Sequence, residues 1–296
     1  MRNIIGHKWI YLTVSGALVA ASILAIAVFG FRPGIDFVGG TLWEMKFGAK
    51  PVAREELTNF LTGPVGLHDI VVTPTAEGSL IIRSPEIKEV DHGLYAGKIN
   101  KELGAFEELR FETIGAAVGS ELRGKAITAF LFVLLGISFY IAFAFRKVSR
   151  TVSSWKYGVI TLVTLFHDAL IPAGLFAVLG HYLNVEVDTN FIVAILVVMG
   201  FSVHDTIVVF DRIRENLRRE SGKGSFDDLV NTSVNQTMAR SINTSLTVIL
   251  VLAALFVFGS STLRYFILTI GVGMIVGTYS SIFVASPLLT LWRKKA

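Results

Sequence analysis

Residues 191–210 read FIVAILVVMGFSVHDTIVVF, and this stretch decides the class of the fold. It is apolar throughout, apart from a short polar group formed by Ser202, His204, Asp205 and Thr206. A helix needs about 20 mostly apolar residues to cross the hydrocarbon core of a bilayer. We therefore predict a membrane-spanning helix here, with an ionisable pair inside it.

The rest of the chain contains further stretches of the same kind. Its 296 residues are 52% hydrophobic and 17% charged, which excludes a soluble globular or a disordered protein. The apolar stretches are Trp9–Phe29, Ala126–Phe145, Tyr157–Leu179, Phe191–Phe210, Ile242–Phe258 and Tyr265–Leu291. The first is too long for a signal peptide and has no cleavage site after it, so we expect it to be retained. The predicted fold class is an α-helical polytopic membrane protein with six transmembrane helices.

Lys and Arg are concentrated on one side of this predicted membrane domain. The N-terminus, the second-to-third connection, the fourth-to-fifth connection and the C-terminus carry two, four, six and three of them, whereas the 180–190 and 259–264 connections carry none and one. Short cytoplasmic loops collect positive charge, so both termini are expected in the cytoplasm. The predicted domains are residues 1–29, an extracytoplasmic segment 30–125, and helices 2–6 with their loops in 126–296.

The extracytoplasmic segment is the only long polar part of the sequence. It holds 11 basic and 14 acidic residues, so the chain's net charge of +4 reflects membrane orientation and not a nucleic-acid surface. Its pattern predicts strands at Thr41–Phe47, Ile70–Thr75, Ser79–Ser84 and Glu108–Ile114, helices at Ala53–Leu61 and Lys88–Leu103, and a turn at Ala76-Glu77-Gly78. The order β-α-β-β-α-β predicts an α+β ferredoxin-like domain that buries Leu42, Val71 and Ile81.

Ionisable residues inside the predicted membrane helices are the candidates for function. His167 and Asp168 lie near the middle of the third helix, His204 and Asp205 lie in the fourth, and Arg240 opens the fifth. Each costs at least about 2.5–3.5 kcal/mol on insertion scales, so each is a functional hypothesis by default. A polar stripe follows on the fifth helix at Arg240, Asn243, Thr244 and Thr247, and such a stripe faces protein or water.

Three interpretations of these residues stay open. They can be packing contacts that hydrogen-bond neighbouring helices. They can assemble a metal site, although adjacent helical residues point about 100° apart and a second shell of carboxylates is missing. They can transfer protons, with a buried carboxylate that loads from one side and discharges to the other under the influence of a nearby cation. Asp205 with Arg240 fits this third interpretation best.

Small residues recur every four positions in the last helix, at Gly273, Gly277, Ser281 and Ala285. This pattern allows close helix packing, either within the chain or against a partner subunit. No nucleotide site is predicted, because Ser221-Gly222-Lys223 lacks the glycine that the phosphate-binding loop requires.

Five motifs, in order along the whole chain, resemble the SecD/SecF family of protein-export membrane proteins. They are GIDFVGG at 34–40, IGAAVGSEL at 114–122, FHD at 166–168, GFSVHDTIVVFDRIREN at 200–216 and RSINTS at 240–245. In the first motif Gly34, Asp36, Gly39 and Gly40 match the signature that opens the external domain. Two positions depart from many members of the family, which have Asn in place of His204 and Pro in place of Ala116.

The resemblance implies a proton-driven subunit in the bacterial cytoplasmic membrane, within the resistance-nodulation-division superfamily. Its expected partners are SecD, the SecYEG channel, SecA, preprotein substrates and membrane lipid, with no cofactor, no metal and no enzymatic chemistry. Asp205 and Arg240 match the family's proton-transport residues, and we add His204, His167 and Asp168 as candidates. The segment from Gly34 to Gly40 is the expected hinge of the external domain, because glycines permit backbone angles that other residues resist.

Two other functions remain as alternatives. A small-molecule exporter half of the same superfamily usually needs two large external loops, whereas the 180–190 connection has about eleven residues. A passive scaffold for other membrane subunits predicts no need for Asp205 or Arg240.

Overall fold

The computed structural model of the protein describes residues 2–48, 51–75, 77–146, 153–219 and 225–292. It divides into two compact units, one formed by Met1–Arg32 with Thr128–Ala296 and the other by Pro33–Ile127. Ala76 of the predicted turn, Ser221-Gly222-Lys223 and several of the basic loop residues (Lys147, Arg150, Arg293, Lys294 and Lys295) lie outside the described residues.

One segment of mixed strands and short helices separates the first long apolar helix from the other long apolar helices. In chain order they are α1 (Lys8–Phe29), α2 (Ile35–Val38), β1 (Gly40–Phe47), α3 (Arg54–Thr62), β2 (Val71–Pro74), β3 (Leu80–Ser84), α4 (Glu89–Glu102), β4 (Phe106–Ile114), α5 (Ala116–Ala144), α6 (Ser154–Leu183), α7 (Thr189–Arg219), α8 (Phe226–Phe258), α9 (Arg264–Ser280) and α10 (Ser286–Leu291). A π-helical turn, Ser281–Ala285, joins α9 to α10.

Six helical segments of the described chain are long and apolar enough to cross a membrane, which confirms the predicted fold class. They are α1, α5, α6, α7, α8 and the rod formed by α9 and α10. The fifth segment looked short in the sequence because α8 begins at Phe226, well before the apolar run, with Ser225 accepting a hydrogen bond from the Asp228 backbone amide. Hydropathy marks the part of a helix that lipid surrounds, not the length of the helix.

The six spanning segments divide into a central and a peripheral set. About half of the most apolar part of α6, α7 and the α9–α10 rod is buried within the chain (50%, 44% and 56%), compared with 6–11% for α1, α5 and α8. The central helices approach closely through small residues. A Cβ added at Gly273 would lie 2.3 Å from a methyl of Val198, and one at Gly277 would lie 2.8 Å from Cβ of Ser202. Both glycines therefore pack against α7, while Ser281 and Ala285 are fully buried.

The Pro33–Ile127 unit contains a four-stranded antiparallel sheet in the order β2-β3-β1-β4. This is the sheet order of a ferredoxin-like fold, so the predicted β-α-β-β-α-β arrangement is confirmed. Its core includes fully buried Trp43 and Ile82 on the sheet and Leu57 and Ile99 on the helices.

The predicted burial of Val71 and Ile81 is wrong. Val72 and Ile82 point into the core instead, while Val71 is 43% exposed. Because successive side chains of a strand face opposite sides, an error of one position reverses the face. Both strands carry two adjacent apolar β-branched residues, so alternation alone did not distinguish the two faces. Leu42 is buried, but it neighbours Trp43 and so lies on the other side of the sheet.

Orientation in the membrane remains a prediction that single cysteines can test, since the chain has none of its own. Asn59 on α3 and Ser260 after α8 are exposed and predicted to lie outside, whereas Ser225 and Ser153 are predicted to lie inside. A membrane-impermeant maleimide applied to intact cells should label cysteine strongly at Asn59 and Ser260 and weakly at Ser225 and Ser153. The reverse pattern would contradict the orientation.

Candidate ion-coupling site

Asp168 lies in the middle of α6 and is completely buried. Ser202 of α7 and Ser280 of α9 both donate hydrogen bonds to its Oδ2, the latter at 2.8 Å, and His167 Nδ1 lies 2.8 Å from its Oδ1. A buried charge is tolerated only when it is paired and hydrogen-bonded, and these contacts supply that compensation. One carboxylate therefore connects all three central helices.

His167 itself is 4% exposed. Its Nδ1 is occupied by Asp168, while its Nε2 is buried and has no hydrogen-bond partner among the described residues. An imidazole held in this way by a carboxylate is fixed in orientation, and its other nitrogen is available to a proton.

Asp205 occupies a second polar position, on α7, and is 2% exposed. The hydroxyls of Ser241 on α8 and Thr278 on α9 lie beside its carboxylate, and Thr278 also hydrogen-bonds Ser245. One carboxylate oxygen of Asp205 is buried without a hydrogen-bond partner among the described residues. Asp205 is thus less well compensated than Asp168, although both lie in the same bundle of helices.

The structure does not bring Arg240 to Asp205. The outer face of α8 exposes Arg240, Asn243 and Thr244. His204 on α7 is exposed as well. Within the described ranges, no ion pair joins Arg240 to Asp205. A second polar stripe on α8 faces inward instead, at Ser233, Thr237, Ser241 and Ser245. Sequence reasoning missed this stripe and the partners Ser202, Thr278 and Ser280, although the four-residue spacing on α8 was a signal that could have found it.

The functional groups of this site are hydroxyls, an imidazole and two carboxylates, and these groups determine which reactions it can support. Within the part of the chain that the structure describes, no group of three or more His, Asp or Glu side chains is placed to hold a metal ion. Hydroxyl groups both donate and accept hydrogen bonds, so they can accompany a carboxylate through a change of protonation. The arrangement is therefore suited to holding and exchanging a proton.

The glycines of the 34–40 motif hold two backbone segments together. Gly39 has φ +81°, and a Cβ there would lie 2.7 Å from Cα of Ala116, at the start of α5. Gly40 has φ +118°, and its Cβ would lie 2.7 Å from the carbonyl oxygen of Ser84. Gly34 precedes the short helix α2, and Asp36 lies in its first turn. Both the backbone angles and the close approach require glycine at 39 and 40.

Six helices long enough to span a membrane, with a ferredoxin-like domain after the first, define a multi-pass membrane protein. The chain belongs to the SecD/SecF family of protein-export membrane proteins. A family model described as "Protein export membrane protein SecD/SecF, C-terminal" matches residues 96–295, and the "SecD/SecF GG Motif" matches residues 24–50.

Proteins of similar sequence match this chain along almost its whole length. "Protein translocase subunit SecF" of Thermobaculum terrenum is 42% identical over 100% of this chain and 95% of its own length, and that of Anaerolinea thermophila is 37% identical over 99% and 94%. "Protein translocase subunit SecDF" of Thermus thermophilus is 38% identical over 96% of this chain, which spans 38% of that protein.

Two solved structures of SecDF are similar to this chain over almost its full length. The crystal structure of SecDF from Thermus, described as a translocon-associated membrane protein, has a TM-score of 0.83 and 34% identity over 98% of this chain. A structure of SecDF in a form described as super-membrane-facing has a TM-score of 0.69 at the same identity and coverage. In both cases this chain spans 38% of the solved protein.

Substitution of Gly39 tests the role of the glycine motif. Gly39→Ala places a methyl group against the Ala116 backbone at a positive φ, so we expect a loss of about 1–3 kcal/mol of stability. The matched control is Gly93→Ala in α4, where a Cβ meets nothing within 4 Å and helix propensity should add about 0.5–1 kcal/mol. Thermal unfolding of the purified protein measures both, and equal tolerance at the two positions would contradict the packing role.

Proposed function

We propose that this chain is the SecF-type subunit of a complex that uses the proton gradient to promote late steps of preprotein translocation across the bacterial cytoplasmic membrane. Asp205 is the proton carrier. One observation supports this assignment above all others: a carboxylate in the middle of a spanning helix is 2% exposed, and one of its oxygens lacks a hydrogen-bond partner among the described residues. Such a group is costly in a membrane and is retained for function.

The energy available to this carrier is sufficient for mechanical work. One proton that crosses the full membrane potential releases about 2.3 kcal/mol per 100 mV. That energy biases a conformational equilibrium between two states by about 50-fold. The Pro33–Ile127 unit is the proposed lever, and the motif from Gly34 to Gly40 is its proposed hinge. SecDF structures have been solved in more than one form, which is consistent with a cycle of this kind.

Arg240 is the proposed cation that resets Asp205. It is exposed in the single chain, and a charged face on a membrane helix has to meet protein or water. We propose that SecD covers this face, so that Arg240 lies in the interface between the two subunits. A Thermus relative carries both subunit names in a single chain, which supports SecD as the partner. SecYEG, SecA and the preprotein are proposed as the further partners.

Asp205→Asn tests the proton carrier. The variant keeps the size and hydrogen bonding of the side chain but cannot release a proton, so insertion and association with SecD should be normal. Uncoupler-sensitive preprotein translocation in inverted vesicles should fall by about tenfold or more, since the bias that one proton supplies is lost. Arg240→Met should have the same effect.

Asp211→Asn is the matched control, because Asp211 lies on the same helix but forms a surface ion pair with Arg214 at 2.6 Å. It should leave translocation unchanged. His204→Asn should largely preserve activity, and an inactive His204→Asn would instead place His204 in the proton path. Full uncoupler-sensitive stimulation in Asp205→Asn would contradict the carrier and favour a scaffold.

A further inference from the structure

The connection between α6 and α7, residues 184–188, is fixed at both of its ends. Asn184 ends α6 in the left-handed conformation, with φ +57°. The backbone amide of Val185 donates to the carbonyl of Leu179 at 3.4 Å, and the Val185 side chain is buried. At the other end, the carboxylate of Asp188 accepts a hydrogen bond at 2.8 Å from a backbone amide in the first turn of α7. The connection is therefore expected to move together with these two helices.

Arg32 follows the end of α1 and is held by this connection. The backbone amide of Val187 donates to the carbonyl of Arg32 at 2.8 Å. The guanidinium of Arg32 donates to the side-chain oxygen of Asn184, and its Nε lies 3.9 Å from a carboxylate oxygen of Glu186, whose side chain is 12% exposed. Hydrogen bonds from a charged donor are stronger than neutral ones. One residue is thus fixed by its main chain and by its side chain.

Helix α6 approaches the same residue through a glycine. A Cβ added at Gly180 would lie 3.6 Å from Cβ of Arg32 and 3.1 Å from the carbonyl oxygen of Val185. On the last turn of α1, the ring of Phe29 stacks on the ring of His181 at 4.7 Å. The end of α1 is therefore joined to α6 as well as to the connection.

The position of Arg32 in the chain gives these contacts a mechanical meaning. Asp168 lies on α6 and Asp205 lies on α7, so the connection joins the two helices that carry the buried carboxylates. The second compact unit begins at the next residue after Arg32, which is Pro33. Proline fixes its own φ and restricts the residue before it, so this link is stiff. The first glycine of the proposed hinge, Gly34, comes directly afterwards.

We propose that the Arg32 clamp, formed by Arg32 with Asn184, Glu186 and the amide of Val187, transmits movement of α6 and α7 to the hinge of the external domain. When Asp205 changes its protonation state, a displacement of these helices moves the connection, and the clamp makes Arg32 follow. Arg32 is a positioning residue, because it contacts neither the proton nor the preprotein. The clamp rests on the proposed function, with Asp205 as carrier and the Pro33–Ile127 unit as lever.

A purely structural role of the clamp makes a different prediction. If Arg32 only stabilises the fold, its loss lowers proton flux and preprotein translocation together or changes neither. If the clamp transmits movement, its loss leaves the proton path intact and lowers the amount of preprotein translocated per proton. The ratio of translocation to proton flux therefore separates the two roles.

Two variants open the clamp. Asn184→Gly removes the oxygen that accepts from Arg32, and glycine adopts the left-handed conformation without strain, so the variant should fold. Arg32→Ala removes both side-chain contacts. Uncoupler-sensitive translocation in inverted vesicles should fall by about threefold or more in Asn184→Gly and further in Arg32→Ala, because charge-assisted hydrogen bonds are lost. Proton flux into liposomes that contain the complex with SecD, followed with an internal pH dye, should stay unchanged in both.

Arg264→Ala is the matched control for Arg32→Ala. Arg264 is exposed at the start of α9, on the same predicted side of the membrane, and its guanidinium lies over the ring of Phe256 on α8. The control removes the same side chain and the same charge without touching the connection. It should leave both translocation and proton flux unchanged.

A disulfide tests whether Arg32 moves together with α6. The chain has no cysteine, and Cβ atoms at positions 32 and 180 would lie 3.6 Å apart, which suits a disulfide. Arg32→Cys combined with Gly180→Cys should translocate poorly when reduced, because the contacts of Arg32 are gone. Oxidation should restore translocation, since the covalent bond replaces the clamp, and it should have no effect on Arg32→Cys alone. Complete loss of translocation on oxidation would show that Arg32 leaves α6 during the cycle and would overturn the clamp.

An unchanged ratio in Asn184→Gly and Arg32→Ala, or an equal fall in Arg264→Ala, would also overturn the clamp. Copurification with SecD and thermal unfolding show whether each variant is intact, and Asn184→Gly decides if Arg32→Ala is not. Asp205→Asn in the same two assays separates the proposals. Loss of flux there with an unchanged ratio in Asn184→Gly rejects the clamp and keeps the carrier, whereas full flux in Asp205→Asn with a lowered ratio in Asn184→Gly rejects the carrier and keeps the clamp.

Discussion

The cost of burying a carboxylate among apolar helices controls the organisation of this membrane domain. Asp168 meets that cost with hydrogen bonds from Ser202, Ser280 and His167, so that one side chain joins α6, α7 and α9. Removing any of these donors would leave a buried polar group partly unsatisfied, at about 1–3 kcal/mol or more for a charged group. The central helices are therefore held in one arrangement by a polar contact as well as by packing.

Close packing makes this polar contact possible. Gly277 lets α9 approach α7 so closely that a Cβ on it would lie 2.8 Å from Ser202, and three residues later Ser280 reaches Asp168. The π-helical turn that begins at Ser281 follows directly, and such turns often occur at functional sites. Asp205 lies one turn from Ser202, yet it has fewer partners than Asp168. The structure thus contains one carboxylate that is firmly held and one that is suited to a change of charge.

Much of the fold was predictable because it depends on the hydropathy of each segment and on the spacing of apolar residues along it. Six apolar stretches predicted the spanning helices, and the order of extended and helical runs along the chain predicted the β-α-β-β-α-β domain. The face of a strand with adjacent apolar residues was not predictable, as Val71 and Val72 show. The site was predicted only in part. Asp205 was found because it is ionisable, whereas Ser241 was missed because α8 has two polar stripes and Arg240 marks the outer one. Hydroxyl partners such as Ser280 depend on tertiary contacts that sequence spacing does not encode.

The central claim is that Asp205 takes up and releases a proton inside the membrane. Infrared difference spectroscopy of the reconstituted complex, recorded on a change of pH, observes this directly through the carbonyl stretch of a protonated carboxyl group. We expect such a band in the unmodified protein and in Asp211→Asn, and its loss in Asp205→Asn. An unchanged band in Asp205→Asn would show that another group carries the proton and would contradict the account.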